Sequence, residues 1–275
     1  MHLLQIDHPI LWTIVYLILI TVIWPLSVLL VSIPFGQFSF FKRYLAKVGN
    51  RLKALKENIS MDNDNLERIT KPVPKIAIFA SGTGSNAEKI IESSLPGNAT
   101  NGAQPIFKVA MVVSNKPSAG VLEIAGNHGI PTLIIEKEQF FRGNAYVDEL
   151  KKAGVDFIVL AGFLWKIPAL LVNAFPNRII NIHPALLPKY GGKGMYGSLV
   201  HEAVLASGDA ESGITIHWVD EHYDNGSIIF QAKCLVLPGD TPETLASRIH
   251  DLEHQHYPQV IKKLIAELKL PQRIP

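Results

Sequence analysis

From Lys75 onward, short apolar runs of strand length alternate with stretches in which apolar residues return every three or four positions. Runs of the first kind fit buried strands and the second kind fits amphipathic helices. The pattern predicts a strand over Lys75–Ala80, a glycine-bearing loop over Ser81–Asn86 and a helix running to Ser94. Further strands are expected at Ile106–Ser114, Pro131–Ile135, Phe157–Gly162 and Arg178–Ile182, and helices at Ala119–His128, Asn144–Ala153 and Ile167–Ala174. Strands separated by helices of about ten residues imply βαβ units and a parallel sheet. The pattern then changes. Gly213–Val219 and Ser227–Leu237 alternate as strands, joined by a segment whose Asp224-Asn225-Gly226 is turn chemistry, so an antiparallel hairpin is expected at one edge. Thr241–Leu268 reads as a long helix, with Thr241 as N-cap and Pro242 at its first position. The expected fold class is α/β: a doubly wound, mostly parallel, Rossmann-like sheet with an antiparallel hairpin edge, preceded by one hydrophobic N-terminal helix.

That helix comes from residues 9–41, which hold no charged side chain. Ile10–Ile33 is apolar enough to cross a bilayer, which needs about 20 residues. Met1–His8 has no Lys or Arg and carries Asp7, unlike a secretory signal. Lys42, Arg43, Lys47, Arg51, Lys53 and Lys56 follow the run, which by the positive-inside rule sets the C-terminal part in the cytoplasm. The expectation is a cytoplasmic catalytic domain, with membrane contact only through residues 9–35. An alternative stands beside it: Met61 opens 215 residues complete as a soluble domain, so residues 1–60 could derive from a start codon assigned too far upstream. The expected organisation is an extension over 1–60, a linker over 61–74, a catalytic domain over 75–268 and a tail over 269–275.

Composition narrows the chemistry. The formal charge of +2 conceals a net −2 over residues 61–275, no footprint for nucleic acid. Cys234 is the only cysteine, which excludes an internal disulfide and argues against a thiolate metal cluster. His201-Glu202 starts like a zinc-binding His-Glu-x-x-His, but Leu205 holds the second His position. His254 and His256 lie about 200° apart around a helix and share no ligand face. No metal is expected. Strand, Ser81-Gly-Thr-Gly-Ser-Asn86, then helix is a phosphate-cradle arrangement, although tight βα turns also use glycine for shape alone. It lacks the Gly-Lys-Ser/Thr of a Walker loop, and Ser114-Asn115-Lys116 offers no acid for an NAD ribose, so a phosphate on another molecule fits better.

Arg178-Ile-Ile-Asn-Ile-His-Pro-Ala-Leu-Leu-Pro-Lys-Tyr-Gly191 is the most informative stretch. Period-two geometry sets Asn181 and His183 on one face at a strand's C-terminal end, where open α/β sheets bind ligands. A capping Asn with a buried, satisfied His fits the same residues, and Asp224 taken alone is plain turn chemistry. Together with Leu160-Ala-Gly-Phe163 and the Gly loop, however, these blocks occur in an order and spacing that resemble the phosphoribosylglycinamide formyltransferases over residues 75–268. The resemblance implies formyl transfer from 10-formyltetrahydrofolate, as co-substrate, to glycinamide ribonucleotide in purine synthesis. Asn181 and protonated His183 would hold the oxyanion, His183 would act as general acid, and Asp224 would pair with it and raise its pKa. Gly84, Ser85 and Asn86 would hold the phosphate and Glu253 the ribose. Leu164, Trp165, Lys166 and Ile167, with Asn181, would line the folate pocket, and Arg142 would reach the folate tail. Leu164-Trp165-Lys166-Ile167 departs from the Met-Arg-Ile-Leu common in relatives, and the glycine-rich loop after Tyr190 is longer than usual, leaving His201 to match its histidine. Both partners are small molecules, and oligomeric state is not implied. Methionyl-tRNA formyltransferase would need a C-terminal RNA-binding domain, and formyltetrahydrofolate deformylase an N-terminal regulatory domain and His-His in place of His183-Pro184. A membrane-tethered scaffold without catalysis would have no need of Asn181, His183 and Asp224 together.

Overall fold

The computed structural model describes residues 73–95 and 105–267, with residues 12–13, 15–20, 23, 27, 43, 46–57 and 59 of the N-terminal part. The chain divides into two compact units, Met1–Lys71 and Pro72–Pro275. In the first, the described residues are helical. Most of the apolar run Ile10–Ile33, the linker 61–72 and the tail lie outside the described residues. Among those described, no helix is long and apolar enough to cross a membrane.

The second unit is built on β1 (Lys75–Phe79), α1 (Ser85–Ser94), β2 (Lys108–Ser114), α2 (Gly120–Asn127), β3 (Thr132–Ile134), α3 (Lys137–Arg142) and α4 (Ala145–Lys152). It continues through β4 (Phe157–Leu160), α5 (Ala169–Ala174), β5 (Ile179–His183), α6 (Ser198–Ser207), β6 (Glu211–Trp218), β7 (Ile228–Leu235) and α7 (Pro242–Glu267). The strands form one sheet in the order β3-β2-β1-β4-β5-β6-β7. The first five pair in parallel, and β5-β6-β7 are antiparallel. The mostly parallel sheet with a hairpin edge is thus as expected.

Strand alternation explains why β1 is apolar from Ile76 to Phe79. Ile76 and Ile78 enter a core shared with α1, α2 and α7, while Ala77 and Phe79 enter a second core with α3, α4 and α5. A parallel sheet covered on both faces needs such continuous runs. Two helices escape the periodicity. The six residues of α3 are too few to display it, and α6 follows a glycine-rich loop. α5 starts at Ala169 rather than Ile167 because Pro168, at its N-cap, is extended, and the residue before a proline is pushed out of the helical region. α7 starts as expected: Thr244 N–H donates to Thr241 Oγ1 at 3.3 Å and Thr241 N–H to Thr244 Oγ1 at 2.9 Å, a reciprocal cap.

Gly213 is required by the hairpin, since a Cβ there would stand 2.1 Å from the Ala232 carbonyl oxygen and 2.7 Å from Leu186 Cδ2. Backbone cannot move aside without opening the β6–β7 ladder. Gly213→Ala is expected to destabilise the protein by about 3 kcal/mol, the upper range for overpacking, read as a lower urea midpoint with unchanged slope. An unchanged midpoint would show that the ladder accommodates the methyl group.

Candidate active site

The order β3-β2-β1-β4-β5 means that the chain winds one way from β1 and the other way from β4. At that switch point the loops diverge and leave a crevice beyond the strands' C-terminal ends. Ser81 ties the two sides together: its N–H donates to Gly162 O at 3.1 Å, and its Oγ donates to Asn115 Oδ1 at 2.6 Å and accepts from Leu164 N–H at 3.0 Å. The resulting cleft of about 660 Å³ is lined by Gly82–Asn86, Leu164–Ile167, Asn181, His183, Asp224 and Glu253, among others. That volume suits a drug-sized ligand.

Asn181 and His183 reach the cleft from the end of β5, on the same strand face as Ile179. Register sets Asn181 opposite His217 and His183 opposite Thr215. His183 is buried at 4% exposure. Its Nε2 lies 2.7 Å from the Tyr190 carbonyl, which can only accept, so Nε2 carries the proton. Bare Nδ1 then faces Asp224 Oδ2 at 3.6 Å. The same logic fixes His217: Nδ1 donates to Trp218 O at 2.8 Å, and Nε2 accepts from Asn181 Nδ2 at 3.2 Å. The other N–H of Asn181 goes to Asp224 Oδ1 at 3.4 Å, a long and weak bond. Asp224 adopts φ 51°, and its Oδ2 accepts from Gly192 N–H at 2.9 Å.

Burial is the dominant influence on His183 and pushes its pKa below the ordinary 6.5. Asp224 and the Tyr190 carbonyl act in the opposite direction, and His217 adds to the lowering. The resemblance implied a raised value. Asp224 does favour the charged ring, but removing the imidazolium from water costs more. Burial also pushes the Asp224 carboxyl upward, yet His217, His183 and the Gly192 N–H together outweigh it and hold the group below the ordinary carboxylate range.

On the other wall, Gly84 takes φ +91° and a Cβ there would lie 2.8 Å from Val121 Cα. The glycine serves close packing of the loop on α2 as well as opening the N-terminus of α1. Asn86 Nδ2 donates to Glu253 Oε2 at 2.8 Å, and Asn86 Oδ1 is buried without a partner in the structure. Glu253, 5% exposed, has its pKa raised by burial, against the pull of Asn86 and His250. Leu164–Ile167 runs along the opposite side, where Trp165 packs against Phe140 and Phe163. Arg142 does not line this cleft: it ends α3 with its side chain 81% exposed and pairs with Glu138 at 3.1 Å. His201 is buried at 3% exposure on α6 and lines the cleft, with Nδ1 unpartnered.

Residues 74–261 match the family model described as formyl transferase. The chain belongs to the formyl transferase family. A curated relative, the chloroplastic phosphoribosylglycinamide formyltransferase of Arabidopsis thaliana, is 47% identical over 198 residues, covering 70% of this chain and 66% of that protein. The phosphoribosylglycinamide formyltransferase of Bacillus subtilis is 38% identical over 195 residues, covering 70% of this chain and 94% of the relative. The crystal structure of the phosphoribosylglycinamide formyltransferase of Bacillus halodurans superposes with a TM-score of 0.62 at 35% identity, covering 70% of this chain and 96% of that one. The chain spans slightly under two thirds of the length of the plant relatives, 66% and 65%.

The cleft gathers every residue that the resemblance implied for the site except Arg142. His217 was missed. Thr215 and His217 stand two apart in β6 and mirror Asn181 and His183, but only strand register reveals that they are opposite. The Tyr190 carbonyl and Gly192 N–H were beyond reach as well, because no side chain marks them.

Proposed function

We infer that this chain transfers the formyl group of 10-formyltetrahydrofolate to the amine of glycinamide ribonucleotide. The observation that carries the reading is the placement of Asn181, His183 and Asp224 beside the glycine loop in one cleft. The names of the relatives agree with it. The phosphate fits the α1 N-terminus at Gly84, Ser85 and Asn86, where backbone N–H groups are free to bind an anion. Glu253 and the unpartnered Asn86 Oδ1 suit ribose hydroxyls. Leu164–Ile167 offers the apolar wall for a folate ring system. Arg142 would contact the acidic folate tail only if that tail extends beyond the cleft.

Attack of the amine on the formyl carbon forms one C–N bond and places negative charge on the formyl oxygen. Asn181 meets that charge by giving up its weak bond to Asp224. His183 accepts the amine proton at bare Nδ1, becomes an imidazolium opposite the Asp224 carboxylate, and passes the proton to the folate nitrogen as its bond to carbon breaks. General-acid work is thus retained from the sequence reading, but it follows a step as base. Oxyanion donors such as Asn181 contribute about 10²–10³ in rate.

The reading is tested with the purified full chain and 10-formyltetrahydrofolate, with and without glycinamide ribonucleotide, following tetrahydrofolate release and product mass. Release that depends on the ribonucleotide, with the formylated product, is the expected result. Release in its absence would assign a deformylase, and no release would refute catalysis. The reaction is assigned to the cytoplasm, and cell fractionation tests this, with the plastid as the competing outcome where one exists.

Glu253→Gln is expected to raise KM for the ribonucleotide about 10-fold, the scale of one hydrogen bond to a charged group, with kcat within a few-fold. Such a split marks binding shared by ground and transition states. A fall in kcat alone would move Glu253 out of the binding role.

A further inference from the structure

The purine-synthesis reading leaves the basic helix over residues 46–57 without a role. Val48, Leu52, Leu55 and Ile59 recur at spacings of four, three and four, which keeps them within about 60° on one helix face. Leu52, Leu55 and Ile59 are 62%, 55% and 57% exposed. Arg51 and Lys56 flank the stripe, one on each side, with Lys47 and Lys53 farther around. Glu57 is the one acid in the helix. An apolar stripe bordered by cations on a helix of low overall hydrophobicity is the pattern of an element that lies in a lipid–water interface.

The charges decide between occupants. The stripe's spacing would also suit pairing with a second copy. In a parallel pair, however, Arg51 of one helix would face Lys56 of the other, cation against cation. An anionic bilayer meets every feature at once: acyl chains for the leucines and phosphates for the four cations.

We propose that helix 46–57 is a peripheral membrane-binding element that lies on an anionic lipid surface, with Leu52, Leu55 and Ile59 entering the acyl boundary and Lys47, Arg51, Lys53 and Lys56 pairing with headgroup phosphates. This differs from a spanning anchor, because attachment depends on lipid charge and reverses with salt. It also stands independently of the formyl-transfer reading.

The test is co-flotation of the full chain with vesicles of phosphatidylcholine alone or containing phosphatidylglycerol, at low and high salt. The wild type is expected to float with the anionic vesicles at low salt and to be released by high salt. Neutralising Lys47, Arg51, Lys53 and Lys56 to Gln together should weaken that partitioning by roughly 600-fold, since each cation near such a surface contributes on the order of fivefold. Leu52→Ser with Leu55→Ser and Ile59→Ser should abolish it, and formyl-transfer kcat should be unchanged in both variants. Equal binding to neutral vesicles, salt-resistant binding retained in the variants, or no binding by the wild type would each overturn the proposal. A salt-sensitive self-association lost in the serine variant, without flotation, would instead assign the stripe to a second copy.

Discussion

Replacing His183 by alanine lowers kcat by about 10³-fold, within the range of a positioned acid–base group, while KM for both substrates stays within a few-fold. The reason lies in what surrounds the ring. His183 contributes almost no exposed surface to the cleft, so ground-state binding loses little. Nδ1 is the ring nitrogen left for proton transfer, because Nε2 is committed to the Tyr190 carbonyl. Without it the amine proton has no acceptor as the C–N bond forms, and the developing oxyanion loses the positive charge beside it. Steady-state kinetics with both substrates varied would check this. Equal losses in kcat and kcat/KM mark an interaction made only in the transition state. A rise in KM with kcat intact would place His183 among the binding residues and remove the proton from its account. Near-UV circular dichroism of the variant separates loss of chemistry from loss of packing, since His183 is enclosed by β5 and the Tyr190 loop.

How far the residues disclosed this site follows from the kind of information each carries. Asn181 and His183 could be paired from sequence because strand alternation is local: two residues apart on a strand share a face whatever the rest of the chain does. Asp224 lies 43 residues from Asn181, and turn chemistry alone would account for it, so only resemblance brought it to the pair. His217 required the register of an antiparallel ladder, which depends on where the chain turns between β5 and β6 and cannot be read from either strand. Arg142 fails for a related reason. It ends the six-residue α3, and no periodic signal placed that helix or its exposed end. The direction of the His183 pKa was misjudged because sequence reveals a charged neighbour more readily than it reveals burial. In the folded protein Asp224 and burial oppose each other, and burial prevails. The fold itself was legible because parallel strands buried on both faces leave apolar runs that need no partner to be recognised.

Asp224→Asn separates those two influences, and its expected result is a pair of changes: kcat falls by about 10²-fold, the lower range for acid–base assistance, and the acid limb of kcat/KM moves to lower pH. The sign follows from the groups present. In the free protein His183 has a pKa below 6.5, so near neutral pH it is unprotonated and ready to accept the amine proton. Activity therefore declines only as pH falls through that lowered value and the ring charges before substrate arrives. Asp224 is the chief influence holding the value up against burial. Asparagine removes the negative charge, burial and His217 act less opposed, and the ring resists protonation to still lower pH. The same change costs rate, because the imidazolium formed during attack no longer faces a carboxylate at 3.6 Å. Stability shows the linked effect. A histidine with a depressed folded pKa keeps its full contribution above the unfolded value of 6.5 and loses it as pH falls from there toward the folded value. Asp224, also depressed, loses its own contribution at lower pH, as its carboxylate is protonated. Urea midpoints taken across mildly acidic pH should thus fall further in Asp224→Asn than in the wild type, because the window for His183 is widened. An acid limb that stays in place, or moves upward, would mean that Asp224 does not govern the His183 proton, and the carboxylate would then act on Asn181 alone through its bond to Nδ2.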